Sequence, residues 1–147
     1  MALAYYNTYS LLVTITHPSN NYIPHHHGVK LIPKTILMLL ENRKVPIYSD
    51  GKQSREWIFA EDNCRATDFV LWNGAYGQRY IMGGNNEMSN IDIVGKIIKL
   101  MGEDQDSIKH VQDRPGHDFR YSSDYSYLQR ELGKNRKEDS TRVSYSQ

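Results

Sequence analysis

The sequence predicts an α/β fold, and two observations carry that reading. Short runs rich in β-branched and aromatic residues at 11–16, 45–48, 56–59, 78–82 and 108–111 alternate with stretches of helical period at 29–42, 62–73, 89–102 and 124–132. The run Leu11-Leu12-Val13-Thr14-Ile15-Thr16 is almost free of polar interruption, as expected of a parallel-sheet strand buried on both faces. Strands that alternate with helices build a sheet covered by helices. A chain of 147 residues is long enough for one such domain, or for part of a larger one.

The elements follow in order. Residues 2–8 read as the end of a helix that begins before this chain. After the strand at 11–16, residues 17–28 are a loop by content, with Pro18, Asn20, Asn21, Pro24 and three histidines. The helix at 29–42 tolerates Pro33 because it falls near the first turn, and Ile32, Ile36, Leu39 and Leu40 share one face. A strand at 45–48 meets Ser49-Asp50-Gly51-Lys52, a turn by its chemistry. After the strand at 56–59, Asp62 is placed to cap a helix that carries Ala66, Phe69 and Val70 and stops at Asn73-Gly74. The strand at 78–82 ends in Gly83-Gly84. Ser89 with Asp92 resembles a capping box ahead of Ile91, Val94, Ile98 and Met101, and Gly102 ends that helix. A strand at 108–111 and a helix at 124–132, stopped by Gly133, complete the order. Residues 134–147 are polar, charged and aperiodic, and disorder is expected there.

Composition narrows the class of function. Eighteen Lys and Arg against 17 Asp and Glu leave a formal charge of +1, which gives no electrostatic ground for nucleic acid or an anionic membrane as partner. One cysteine, Cys64, allows no internal disulfide and no four-cysteine zinc site. On its predicted amphipathic helix Cys64 reads as a buried structural thiol. No apolar run approaches the ~20 residues that span a bilayer, and the N-terminus does not read as a signal peptide. A reducing, cytoplasmic setting is expected. Eleven tyrosines against three phenylalanines suit surfaces and clefts better than a dry core.

Several motifs that bring chemistry to mind do not carry it. No glycine-rich loop of dinucleotide or triphosphate type occurs. Tyr48 and Lys52 have the Tyr-x-x-x-Lys spacing of short-chain dehydrogenases, but a turn between them prevents the shared helical face that lowers a phenol's pKa. In His25-His26-His27 adjacent residues on extended backbone point to opposite faces, and no nearby carboxylate supplies a further ligand, so no metal site is assigned. What remains is a set of polar and basic residues at element ends: Asn20-Asn21, Lys30, Arg55 and the loop Asp113-Arg114-Pro115-Gly116-His117-Asp118. Open α/β sheets place ligands at strand C-termini. Three cations with nearby amides can clamp a diphosphate, although composition alone favours ordinary surface ion pairs.

Read together, these segments resemble one family, dTDP-glucose 4,6-dehydratase of the extended short-chain dehydrogenase/reductase superfamily. The resemblance runs through Ala4-Tyr5-Tyr6-Asn7-Thr8-Tyr9, Pro18-Ser19-Asn20-Asn21-Tyr22, Lys30-Leu31-Ile32-Pro33-Lys34 and Pro46-Ile47-Tyr48-Ser49-Asp50-Gly51. It continues through Arg55-Glu56-Trp57, Glu61-Asp62, Gly83-Gly84, Asn90-Ile91-Asp92, the loop at 113–118 and Arg130-Glu131-Leu132-Gly133. The motifs occur in family order across residues 2–133. Ile23 and Ser49 stand where the family has glycine, Glu56 where it has Asp, and Ile81 where it has Asn.

The resemblance implies an incomplete NAD(P)-binding, Rossmann-like fold. Residues 1–22 would end a truncated Rossmann domain, and residues 23–133 would form the sugar-nucleotide-binding portion. It implies that Asn20, Lys30, Leu31, Pro46, Ile47, Tyr48, Arg55, Asn90, Arg114 and His117 contact a dTDP-sugar, and that Asn21 faces the nicotinamide cofactor. The complete family enzyme uses NAD, and this chain is not expected to hold it tightly. No catalytic residue is assigned, because the family's NAD loop, its Tyr/Lys pair and its Asp-Glu pair all precede the point matching Met1. The chain by itself is therefore expected to be inactive, with a Rossmann domain or another chain as its partner. Self-association is expected from the open strand edge. The alternative is a truncated remnant, or a non-catalytic protein that binds dTDP-sugars or oligomerises.

Overall fold

The computed structural model describes residues 1–131; Gly133 and the tail at 134–147 lie outside the described residues. In chain order the elements are α1 (Ala2–Tyr9), β1 (Ile15–Pro18), β2 (Asn20–Tyr22), α2 (Leu31–Leu40), β3 (Val45–Tyr48), β4 (Ser54–Phe59) and α3 (Ala60–Asn73). They continue with β5 (Arg79–Met82), β6 (Glu87–Ser89), α4 (Asn90–Met101), β7 (Ile108–Val111) and β8 (Arg120–Tyr121). Residues 126–131 are helical. The α/β class and its parallel pairing are as predicted. β1 runs parallel to β5 with Ile15 opposite Arg79, β3 to β7 with Val45 opposite Ile108, and β2 to β4 with Asn20 opposite Trp57.

Local chemistry explains where the elements begin and end. At the start of α4 the Ser89 hydroxyl accepts the Asp92 N–H at 3.2 Å, so the predicted cap forms. At its end Gly102 takes φ 75°, the left-handed conformation that glycine adopts without a Cβ penalty. Ser49, which stands in place of a glycine of the resembled family, takes φ 50° in the turn after β3.

Four expectations need correction. The strand expected at 11–16 begins only at Ile15, because the ladder to β5 starts with the Ile15 N–H on the Gln78 carbonyl; Leu11 and Leu12 are 52% and 64% exposed. Part of the region read as loop is β2, which pairs with β4 through three residues that carry no strand signature of their own. Asp62 does not cap α3, which starts two residues earlier at Ala60; Glu61 and Asp62 lie in its first turn, where their charge complements the helix dipole. Cys64 is exposed, because α3 turns Asn63, Ala66, Phe69 and Val70 inward and Cys64 lies beside that stripe.

Two apolar clusters hold these pieces. In one, Leu39 of α2 and Val94 and Ile98 of α4 pack on Val45 and Ile47 of β3. In the other, Ile58 of β4, Val70 of α3, Tyr80 and Met82 of β5 and Leu128 come together. Each buried side chain of this size contributes roughly 1.5–3 kcal/mol. β4 joins the layers, pairing with β2 through Trp57 to Phe59, antiparallel with β6 through Ser54 to Glu56, and parallel with β8 through Ser54 and Arg55. β6 and β8 are also tied by a two-pronged ion pair, Arg120 Nε to Glu87 Oε1 at 2.7 Å and Nη2 to Oε2 at 2.8 Å, with the Ser54 hydroxyl donating to Glu87 at 2.6 Å.

Ile98→Ala should lower stability by about 2–5 kcal/mol in urea unfolding, whereas Leu100→Ala, on the exposed face of the same helix, should stay within about 0.5 kcal/mol. Equal effects would contradict the assignment of the core. Hydrogen bonds from Arg120 and then Ser54 hold Glu87 down to about 2 from an ordinary 4.5. A depressed carboxylate stabilises the fold fully above its ordinary range and loses that contribution as the pH falls toward its folded value. Acid titration should therefore loosen β8 between about pH 4.5 and 2, read from its amide exchange, and Glu87→Gln should blunt that change. An unaltered acid profile in Glu87→Gln would refute this.

Candidate functional site

The site forms where the C-terminal end of β1 and strands β2 and β4 face the N-termini of α2 and α4. A cleft of about 430 Å³ opens there, within the size range that takes a small ligand. β2 contributes Asn20 and Asn21; the Asn21 amide donates to the Ser19 carbonyl at 3.0 Å, which fixes its orientation. Lys30 and Leu31 enter from the start of α2, and Asn90 is the first residue of α4. Arg55 comes from β4, and Arg114 and His117 from the loop after β7. Residues distant in sequence thus converge on one cavity.

The three positions on β3 lie elsewhere. Ile47 is packed in the first apolar cluster, so its side chain does not reach the cleft. Pro46 lines a separate depression with Gly28 and Lys34. Tyr48 is half-exposed and meets the cleft indirectly, its ring edge-on to His117 with centroids 5.8 Å apart.

Ser19, His26 and Trp57 also line the cleft. Trp57 was within reach of a sequence argument, since it lies two residues from Arg55 on one strand and so shares its face. Ser19 had no signal apart from its neighbour Asn20. His26 was hidden in a histidine triplet; His25 adopts φ 61°, and of the three rings His26 is the one at the cleft. Among the described residues no group of three or more His, Cys, Asp or Glu is placed to hold a metal ion.

Electrostatics give the cleft its sign. Among the described residues no carboxylate lies within ion-pair distance of Lys30, Arg55 or Arg114. Arg55 is instead held by carbonyls, Nη1 donating to Ser54 O and Nη2 to Asp118 O, both at 2.7 Å. Such bonds orient a guanidinium without cancelling its charge. The N-termini of α2 and α4 add partial positive charge. Of the two carboxylates in the loop at 113–118, Asp113 is occupied by other donors. It accepts from His117 Nδ1 at 2.7 Å, from the Arg114 N–H at 2.8 Å and from Gln53 Nε2 at 2.7 Å. Burial works to raise the Asp113 pKa, but those hydrogen bonds, His117 foremost, outweigh it and hold the carboxyl below its ordinary value. The arrangement suits a ligand with adjacent negative charges and polar groups along its length.

Two glycines shape the wall behind the cleft. A Cβ on Gly84 would collide with the Trp57 carbonyl, and one on Gly83 with the Glu56 carboxylate. The pair lets the loop after β5 lie against β4. Glu56 is buried there and accepts the N–H groups of Asn85 and Ser123, each at 3.1 Å.

Comparison with known proteins places this geometry in a family. The family model for GDP-mannose 4,6 dehydratase matches residues 1–143. The chain is 41% identical over 133 residues to the dTDP-glucose 4,6-dehydratase of Streptomyces niveus, covering 90% of this chain and 40% of that one. It is 45% identical over 139 residues to the enzyme of that name from Xanthomonas campestris, with 88% and 40% covered. The crystal structure of DesIV, a dTDP-glucose 4,6-dehydratase of Streptomyces venezuelae with NAD bound, superposes with a TM-score of 0.87 at 41% identity, over 99% of this chain and 43% of that one. The Bacillus anthracis dTDP-glucose 4,6-dehydratase in complex with NAD gives 0.85 at 43% identity, over 90% and 42%. The chain thus spans about 40% of the length of the curated relatives it matches. Its fold corresponds to part of their Rossmann-like extended short-chain dehydrogenase/reductase fold. By these matches, the chain belongs to the GDP-mannose 4,6 dehydratase family, and among its relatives there are the dTDP-glucose 4,6-dehydratases.

Proposed function

We propose that this chain forms the sugar-nucleotide-binding side of a dTDP-glucose 4,6-dehydratase cleft. Lys30, Arg55 and Arg114 hold the diphosphate. Asn20, Leu31, Asn90 and His117 surround the nucleoside and sugar, with Tyr48 at the margin against His117, and Asn21 faces the nicotinamide of NAD; Pro46 and Ile47 hold β3 in place and do not touch the ligand. In the complete reaction of this family, hydride passes from sugar C4 to NAD, water is eliminated across C5–C6, and the hydride returns to C6. The rest of the NAD site and the groups that perform those steps are supplied by polypeptide outside these residues, in the same cytoplasmic assembly. Alone, the chain binds the nucleotide and does not turn it over.

The observation that carries this reading is the meeting in one cleft of two helix N-termini and three cations that have no acidic partner among the described residues. Each charge-assisted contact contributes roughly 1.5–3 kcal/mol, and part of the sum is offset by the freedom lost on association. That supports a dissociation constant between about 1 μM and 1 mM. A second reading, a non-catalytic protein that oligomerises or docks on another chain, draws on the exposed Leu11, Leu12, Leu71, Trp72 and Tyr76.

Calorimetry with dTDP tests the first reading. The parent chain should bind, and Arg55→Ala and Arg114→Ala should each weaken binding about tenfold or more. Arg65→Ala, an exposed arginine on α3 paired with Glu61 and Asp62, should change nothing. No binding by the parent, or equal affinity in all three variants, would contradict the assignment.

A further inference from the structure

We propose that Gln53 is a positioning residue for the cleft, acting through Asp113 to aim the His117 imidazole at the bound nucleotide; this rests on the nucleotide-binding reading above. Gln53 lies outside the cleft lining and is only 4% exposed. Its Nε2 donates to Asp113 Oδ2 at 2.7 Å, across 60 residues of sequence. Asp113 uses its other oxygen, Oδ1, to accept from His117 Nδ1 and from the Arg114 N–H. One carboxylate thus ties together Gln53 and two cleft residues.

The chemistry of the chain of bonds fixes a direction. The same bonds hold Asp113 below its ordinary pKa, and an ionised carboxylate only accepts. His117 Nδ1 must then carry the proton it donates, which leaves Nε2 as the ring nitrogen available to a ligand. The His117 side chain is 7% exposed, so the ring has little freedom to choose another orientation. Tyr48 closes its flank edge-on. Gln53 orients the carboxylate itself: its amide nitrogen faces Asp113, and its carbonyl oxygen is left buried without a partner. A buried amide in that state is held by what its nitrogen does. The Gln53 main-chain carbonyl also accepts the N–H of Asn90 at 2.9 Å, but a side-chain substitution leaves that bond in place. The effect of changing the amide is therefore separable from the backbone's hold on α4.

A double-mutant cycle read by dTDP calorimetry tests the proposal. Gln53→Leu and His117→Ala should each weaken binding about three- to tenfold. In the His117→Ala background Gln53→Leu should cost nothing further, because the group it aims is gone. Additive losses would overturn the positioning role while leaving the cleft assignment intact. Absence of dTDP binding by the parent would instead overturn the reading of the cleft. Long-range nitrogen–proton NMR of the parent chain, which needs no variant to fold, should show His117 protonated on Nδ1. A neutral ring protonated only on Nε2 would refute the proposal independently.

Discussion

The cleft depends on one short stretch of extended chain. Residues 53–57 lead into and through β4, and each ties down a different piece of structure. Gln53 reaches Asp113, Ser54 bonds Glu87 and takes the Phe119 carbonyl on its N–H, and Arg55 binds the Asp118 carbonyl. Glu56 accepts from Asn85 and Ser123, and Trp57 pairs with Asn20 and donates its N–H to Asn86. Side chains alternate across a strand, so one such segment can serve the cleft on one side and the packed interior on the other. Arg55 and Trp57 line the cleft, while Glu56 between them is buried. Residues 83–86 and 113–123 are tied to this segment by polar bonds through Asn85, Asn86, Asp113, Asp118, Phe119 and Ser123.

That design also explains how positive charge survives in the cleft. An arginine or lysine near carboxylates ordinarily pairs with them, and the family's charged loop at 113–118 contains two. Asp113 is saturated by three donors, and the contact Arg55 makes with Asp118 is to the main-chain carbonyl. The Glu87–Arg120 pair, which ties β6 to β8, lies outside the cleft lining. Charge is kept free where a ligand would use it and neutralised where strands need joining.

Some of this was legible in the residues and some was not, for physical reasons. The strands at 45–48 and 108–111 carry their own apolar pattern, and Ser89 and Gly102 bracket α4 with chemistry that works locally. β2, β6 and β8, of three, three and two residues, exist only because β4 lies beside them, and no local propensity announces them. The apolar run at 11–16 misled because hydrophobicity does not reveal which residues find a partner strand, and pairing begins at Ile15. For the cleft, the polar residues at element ends could be read as a group only through an ordered family resemblance; singly they look like surface charges. Gln53 could not be read at all. Its bond to Asp113 spans 60 residues and depends on how β4 and the loop after β7 meet.

The central claim is that three separated cations serve one ligand site, and the measurement that meets it most directly is an amide and side-chain NMR titration of the chain with dTDP. Perturbations should concentrate at Asn20, Asn21, Lys30, Arg55, Asn90, Arg114 and His117, saturating together with one affinity. Perturbations gathered instead along the α4 face around Lys96 and Lys99, or around Arg43 and Lys44, would contradict the account.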